Sequence, residues 1–240
     1  MANPFDNMGN SKYNKVLTAV LIIVIIVVVG LLLFFGFDVY RKYYIEKEGK
    51  EVIGRFEGKM NEIVSDGQAS EQNVVDPGVD LNSIYENNNN TTTDPSGGNS
   101  SGGTGIKYKG YDVIGTIEIP ATKIKYPILD QVSIRALEAS IGCIYTSGGG
   151  LNTVGNCVLV GHNYRNGTFF SNNKKLVKGD KIYITDGSGK KVTYIITKKY
   201  ETSTSDFSYA NRDTNGKREI SLSTCTDDTK KRLIIWAVEQ

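Results

Sequence analysis

Glu219-Ile-Ser-Leu-Ser-Thr-Cys-Thr-Asp-Asp-Thr-Lys-Lys-Arg-Leu-Ile-Ile-Trp236 decides the fold. Ile220, Leu222 and Thr224 alternate with Ser221, Ser223 and Cys225, the two-residue period of a strand. That period places Cys225 at the strand's end, on the face opposite Leu222. Residues 226–231 are polar and read as a turn. Arg232 then opens Leu233-Ile-Ile-Trp-Ala-Val238, an apolar run suited to a buried strand. Two antiparallel neighbours joined in this way bring a thiol and a guanidinium together. A second stretch, Asn156-Cys-Val-Leu-Val-Gly-His162, is another strand, and it ends at the chain's single histidine.

Around these stretches lie 240 residues, 39% hydrophobic and 22% charged, which suits one globular domain of ordinary size plus additional segments. A net charge of +2 is too small to point to nucleic acid. Three cysteines cannot form a fully paired disulfide framework, so at least one is reactive or simply buried. One histidine and no C-x-x-C spacing argue against a structural zinc site, and the acidic residues are too scattered for a cation site. No metal or cofactor is expected.

The chain divides by composition. Residues 1–15 are polar, with Lys12 and Lys15 before an apolar run. Residues 16–37 are almost uninterrupted Val, Ile, Leu and Phe; as a helix they span about 33 Å, enough to cross a bilayer. The run is long for a signal peptide and no A-x-A-like cleavage site follows it, so an uncleaved anchor is expected. Tyr40, Tyr43 and Tyr44 suit an interfacial aromatic belt. Flanking charge alone favours placing the C-terminal side in the cytoplasm, but long C-terminal domains translocate despite such charge. Residues 38–65 carry Ile45, Val52, Ile53, Phe56, Met60, Ile63 and Val64 at near-helical spacing, a helical stalk. Residues 66–105 include an Asn/Thr/Ser/Gly tract that cannot build a core and read as a flexible, disordered linker.

The folded domain is expected over residues 106–240. Tyr111-Asp-Val-Ile-Gly-Thr-Ile-Glu-Ile119 is a strand stopped by Pro120, and Ile124-Lys-Tyr-Pro-Ile-Leu129 is a second, with Pro127 marking an edge or bulge. Ser133 caps a short helix reaching toward Ile141, Gly148-Gly-Gly150 is a turn, and residues 172–177 suggest another short helix. Residues 181–185 and 191–197 form a hairpin around Asp186-Gly-Ser-Gly189. Residues 200–217 are polar and read as a surface loop. Seven or eight short strands with little helix predict a closed or nearly closed β-barrel.

The chemistry rests on three residues. Cys143 and Cys157 sit among apolar neighbours and read as buried; a disulfide between them would need geometry to support it. Cys225 instead sits at a strand end among Ser, Thr and Asp, near a cation, where a thiol can act as nucleophile. Val158, Val160 and His162 share one strand face and Cys157 points the other way, so Cys225 is the better partner for His162. Cysteine and histidine supply a nucleophile and a general acid/base. Arg232 either pairs with Asp227 or Asp228 at the surface or stabilises charge developing on a carbonyl oxygen. Together the three describe acyl transfer through a thioester.

Ser221-Leu-Ser-Thr-Cys225 with Arg232 on the next strand resembles the sortase signature T-L-x-T-C with its downstream arginine, Ser221 replacing the first Thr. Val158-Leu-Val-Gly-His162 resembles the strand that ends in the family's histidine. Gly115-Thr-Ile-Glu-Ile-Pro120 and Lys178-Gly-Asp-Lys-Ile182 resemble further sortase segments. Four segments therefore agree in order over roughly residues 111–238. The resemblance implies a mainly β fold, a closed eight-stranded sortase-type barrel with short helices, behind an N-terminal transmembrane helix and a linker. It implies a single-pass cell-membrane cysteine transpeptidase of Gram-positive bacteria, N-terminus in the cytoplasm and catalytic domain outside. The substrate would be a secreted protein bearing an LPXTG-like sorting signal near its C-terminus. The acceptor would be a cell-wall precursor or pilin amine.

By the same resemblance Cys225 attacks the Thr carbonyl, His162 shuttles the proton, and Arg232 positions the substrate backbone and stabilises the oxyanion. Ser223 and Thr224 are substrate-binding candidates, Ser223 because it shares a strand face with Cys225. The wording of the signature and the helical N-terminal segment are class B-like. The loop before the last strands is too short for that class's long helix, leaving class A- and D-like enzymes open. The interval of seven residues from Cys225 to Arg232 is at the family's short end. Two other functional classes carry the same residues: a surface cysteine peptidase that only hydrolyses, and a non-enzymatic membrane-tethered binding domain with Cys225 as a bystander.

Overall fold

The structure, a computed structural model, describes residues 8–65, 104–145 and 149–240. The first residues of the N-terminal segment, nearly all of the expected linker, and Gly148 of the expected glycine turn lie outside the described residues.

A continuous helix, α1, runs Met8–Ser65. The chain divides into two compact units, Met1–Ile45 and Glu46–Gln240. In the first unit the apolar run is exposed on every side, from 47% at Val28 to 73% at Phe34. A helix apolar all round is matched to a membrane rather than to water. Its hydropathy and length suffice to cross one.

In the second unit α1 changes character. Val52, Phe56 and Met60, spaced four residues apart, are 3%, 0% and 3% exposed. This single stripe packs with Ile106, Tyr108, Val113, Leu129, Ala136 and Ala139. Lys109 and Lys125 reach the same helix segment through Glu48 and Glu57, at 2.9 and 2.6 Å. The apolar stripe supplies the main stabilisation, because exposed ion pairs contribute about 0–1 kcal/mol each.

Among the described residues nine strands follow: β1 (Lys107–Tyr108), β2 (Tyr111–Ile119), β3 (Ile124–Leu129), β4 (Ile141–Tyr145), β5 (Gly155–Val160), β6 (Lys181–Asp186), β7 (Lys191–Ser203), β8 (Arg218–Cys225) and β9 (Lys231–Glu239). The sheet order is β1-β2-β3-β4-β5-β8-β9-β7-β6, and β2 pairs with β6, which closes β2 to β9 into an eight-stranded barrel. Closure leaves no unpaired sheet edge in the barrel. The mainly β barrel with short helices read from the sequence is therefore the observed fold. Helix α2 (Ile134–Ala139) begins at Ser133, whose Oγ accepts a hydrogen bond from the Ala136 amide at 3.2 Å. The segment expected to be helical at 172–177 is a single 3-10 turn, Asn173–Lys175.

Register fixes two faces. Ile117, Ile128, Ile141, Leu159, Leu222, Ile235, Ala237, Ile196 and Ile184 lie on one face around the barrel and are all at most 1% exposed. They are the barrel interior. On the other face, Ile144, Val158, Val160 and Ile234 pack with Leu137, Tyr209 and Ala210.

The segment expected to loop from residue 200 onward differs from that expectation in two ways. Strand β7 continues to Ser203, because Tyr200, Glu201, Thr202 and Ser203 find partners in Ile234, Leu233, Arg232 and Lys231 of β9. A register shift between Ile196 and Lys198 makes that extension fit. The remaining loop is not purely superficial. Tyr209 and Ala210 are 2% and 1% exposed. Their carbonyls accept hydrogen bonds from Asn156 Nδ2 at 3.1 and 2.9 Å, and Ser221 Oγ donates to the Tyr209 carbonyl at 3.3 Å. This buried amide and hydroxyl fasten the loop to β5 and β8.

Candidate active site

Cys225 closes β8 and faces Arg232, the second residue of β9, as its direct cross-strand partner. Arg232 Nη1 donates to Cys225 Sγ at 2.9 Å. Both side chains are half-buried. The contact follows from register: Ser221, Ser223 and Cys225 pair with Trp236, Ile234 and Arg232 on the outer face of an antiparallel pair. The alternative partners proposed for Arg232 are engaged elsewhere. Asp227 binds Lys174 at 2.5 Å, and Asp228 accepts from Thr226 Oγ1 at 2.6 Å and from the Lys230 amide at 3.1 Å, tightening the turn.

His162 arrives from β5, which runs parallel to β8 with Val158 opposite Ser221 and Val160 opposite Ser223. The Gly161 amide donates to the Ser223 carbonyl at 3.2 Å, so the ladder continues past the last strand residue. Continuing that register places His162 level with Cys225, on the same face. Gly161 is required here for space. A Cβ would come within 2.6 Å of Ile141 Cδ1 and 2.8 Å of Phe170 Cδ2. The His162 ring is half-buried and lies 4.9 Å from the Tyr164 ring, and its carbonyl accepts from the Phe170 amide at 3.1 Å.

The remaining two candidates lie deeper. Ser223 is 1% exposed, with its Oγ 3.3 Å from Tyr209 Oη. Thr224 is 2% exposed and pairs with Leu233 on the interior face. Neither presents its hydroxyl to solvent. Among the described residues no cluster of three or more His, Cys, Asp or Glu could hold a metal.

Two residues stand out that the sequence alone did not single out. Asn163, directly after His162, donates its amide to the Cys225 carbonyl at 3.0 Å and to Asp227 Oδ1 at 2.9 Å. Arg165 Nη1 adds a bond to the Asp227 carbonyl at 3.2 Å. The loop after the histidine is thereby tied to the turn after the cysteine. The Lys174 ammonium and the Asn163 amide hold the Asp227 carboxyl below the usual carboxylate range. Tyr209 is the second. Burial pushes its phenol up, against the opposing pull of Ser223 and the nearby Arg232 charge. An asparagine beside a histidine is a signal readable in sequence. The loop tyrosine carries none, because its burial depends on the Asn156 and Ser221 bonds.

The closed barrel presents a cysteine against an arginine, with a histidine level with them just past the end of the neighbouring strand. A sortase domain matches residues 117–240, and the chain belongs to the sortase family, generally cysteine transpeptidases. Sortase A of Bacillus anthracis is 32% identical over 126 residues, which is 51% of this chain and 58% of that protein. The chain thus spans somewhat over half the length of that relative. Among solved structures, a sortase A lid mutant from Corynebacterium diphtheriae is 27% identical at a TM-score of 0.49, over 53% of this chain and 70% of that one. A Clostridium perfringens sortase D5 transpeptidase is 29% identical at a TM-score of 0.48, over 54% and 79%.

Proposed function

We propose that this chain is a membrane-anchored transpeptidase. It cleaves an LPXTG-like sorting signal and joins the released carboxyl to a cell-wall or pilin amine. The observation that carries the reading is the 2.9 Å approach of Arg232 Nη1 to Cys225 Sγ at the end of the strand pair.

In this mechanism the Cys225 sulfur attacks the carbonyl carbon of the scissile bond. Charge moves onto the carbonyl oxygen, and the Arg232 guanidinium sits beside the atoms through which it moves. Arginine keeps its proton throughout, so it stabilises charge and does not act as the base. His162 protonates the departing amine, leaving a thioester on Cys225, and deprotonates the amine that resolves it. Ser223 supports substrate from beneath, on the strand face of Cys225 and against Tyr209 Oη, and Thr224, on the interior face, acts only through the strand backbone. Residues 16–37 anchor the chain, with the N-terminus inside and the catalytic domain outside the membrane. Residues 66–105 connect the helical segment to the catalytic domain.

The test uses the full chain in detergent micelles, a panel of LPXTG-like and NPXTG-like peptides, and triglycine as amine. A peptide adduct on Cys225, absent in Cys225→Ala and converted to an amide by triglycine, is the expected result. Cleavage to free acid alone would identify a hydrolase. No adduct with any peptide, together with an unreactive Cys225 thiol, would identify a binding domain.

A further inference from the structure

The barrel interior holds two sulfurs that the proposed reaction does not use. Cys143 of β4 and Cys157 of β5 are 3% and 4% exposed. Their strands are antiparallel neighbours, with Cys143 opposite Leu159 and Tyr145 opposite Cys157. Both cysteines therefore lie on the interior face, one diagonal step apart. Their Sγ atoms are 2.7 Å apart, inside ordinary non-bonded sulfur separation. Cys225 is excluded as a partner for either. It lies on the opposite face, at the far end of β8, against Arg232.

We propose that Cys143 and Cys157 form a structural disulfide inside the barrel. The inference rests on the outward orientation proposed above, because that side supplies the oxidant, the disulfide of a thiol–disulfide oxidoreductase or of a small molecule. One cysteine thiolate attacks a sulfur of that disulfide and expels a thiolate. The second then attacks the mixed disulfide. Two thiols lose two protons and two electrons, one S–S bond forms, and the oxidant leaves as two thiols. Burial and the neighbouring sulfur push the Cys143 thiol well above its usual range. A thiol in that state scarcely ionises, so oxidation belongs to the folding chain, before the barrel closes. The bond joins β4 to β5 covalently and stiffens the strand that leads to His162.

The test takes the full chain from membranes of a host that exports it. Thiols are trapped with N-ethylmaleimide under denaturing conditions without reductant, and peptides are mapped by mass spectrometry. The expected product is a linked pair of peptides containing Cys143 and Cys157, each one hydrogen lighter, with maleimide on Cys225. Maleimide on Cys143 and Cys157, or a link from either to Cys225, overturns the proposal. In parallel, a membrane-impermeant maleimide applied to intact cells labels Cys225 only if the domain faces outward. Free interior thiols with a labelled Cys225 sink the disulfide alone, and free thiols with an unlabelled Cys225 sink the orientation with it. A reductant should also lower the melting midpoint of the unmodified chain by about 5–10 °C. It should leave the midpoint of a Cys143→Ala, Cys157→Ala double variant unchanged. An equal response of the two chains counts against the bond.

Discussion

Cys157 and Cys225 belong to neighbouring strands of one sheet, yet their surroundings differ in every respect that matters to a thiol. Cys157 points into the barrel, with Ile220 opposite it on β8, and meets another sulfur. Cys225 ends its strand on the outer face, half-buried, and meets a guanidinium. Strand parity sends each to its side, and position along the strand sets exposure. A closed interior keeps the Cys157 sulfur away from any substrate, whereas a fixed cation and an open strand end suit attack on a carbonyl. Residue type is shared, so reactivity should follow the surroundings.

The largest effect expected from that contrast is on the outer cysteine. Cys225→Ala should abolish acyl-enzyme formation and lower amide production by at least about 1,000-fold, with the melting midpoint nearly unchanged. Cys143→Ala with Cys157→Ala should do the reverse, lowering the midpoint while turnover well below it stays within about threefold of the parent. Comparable activity losses in both chains would erase the distinction between the two environments. Arg232→Lys comes next. Lysine keeps the charge but loses the planar fork, and about a 100-fold loss in kcat is expected. A fully active lysine variant would mean that only charge matters at the sulfur.

The contrast was legible in advance because it depends on short periods. The alternation from Ile220 to Cys225, a brief turn and Arg232 at the start of the next run were enough to bring thiol and guanidinium together. Parity likewise sent Cys157 and His162 to opposite faces. Features that depend on distant chain were not legible. Residues 200–203 are polar and became strand only because β9 offers them partners past a register shift. The stripe Val52, Phe56 and Met60 suggested a helix, but not that its partners would be Ile106, Tyr108, Val113 and Leu129. Asn163 stands beside His162 in the sequence, but its target, a backbone carbonyl 62 residues away, was not legible.

Asn163 sharpens the comparison by testing position without changing chemistry. It touches the Cys225 carbonyl but not the sulfur, so it acts as a positioning residue. Asn163→Ala should reduce kcat about 10-fold, with KM changed less than about twofold, since small displacements of reacting groups are costly. Asn163→Asp should not restore activity, because a carboxylate cannot donate to the Cys225 carbonyl. A KM effect alone would recast Asn163 as a substrate contact.

The smallest effect concerns Asp227, which completes the same clamp. Its carboxylate accepts from Lys174 and Asn163, and those bonds depress its folded pKa. A depressed carboxylate contributes its full share above the unfolded value, about 3.9, and loses it as pH falls through the lower folded value. The clamp should therefore be intact and independent of pH from about pH 5 upward, and should fail only in stronger acid. Asp227 is solvent-exposed, so salt should screen much of its attraction to Lys174. Rates of acyl-enzyme formation for the parent and Asp227→Asn, measured from pH 5 to 9, should run parallel and differ by no more than about threefold. A displaced limb in the variant's profile would show that Asp227 acts on the titration of His162 or Cys225 directly, and the clamp would then be part of the proton chemistry rather than a brace behind it.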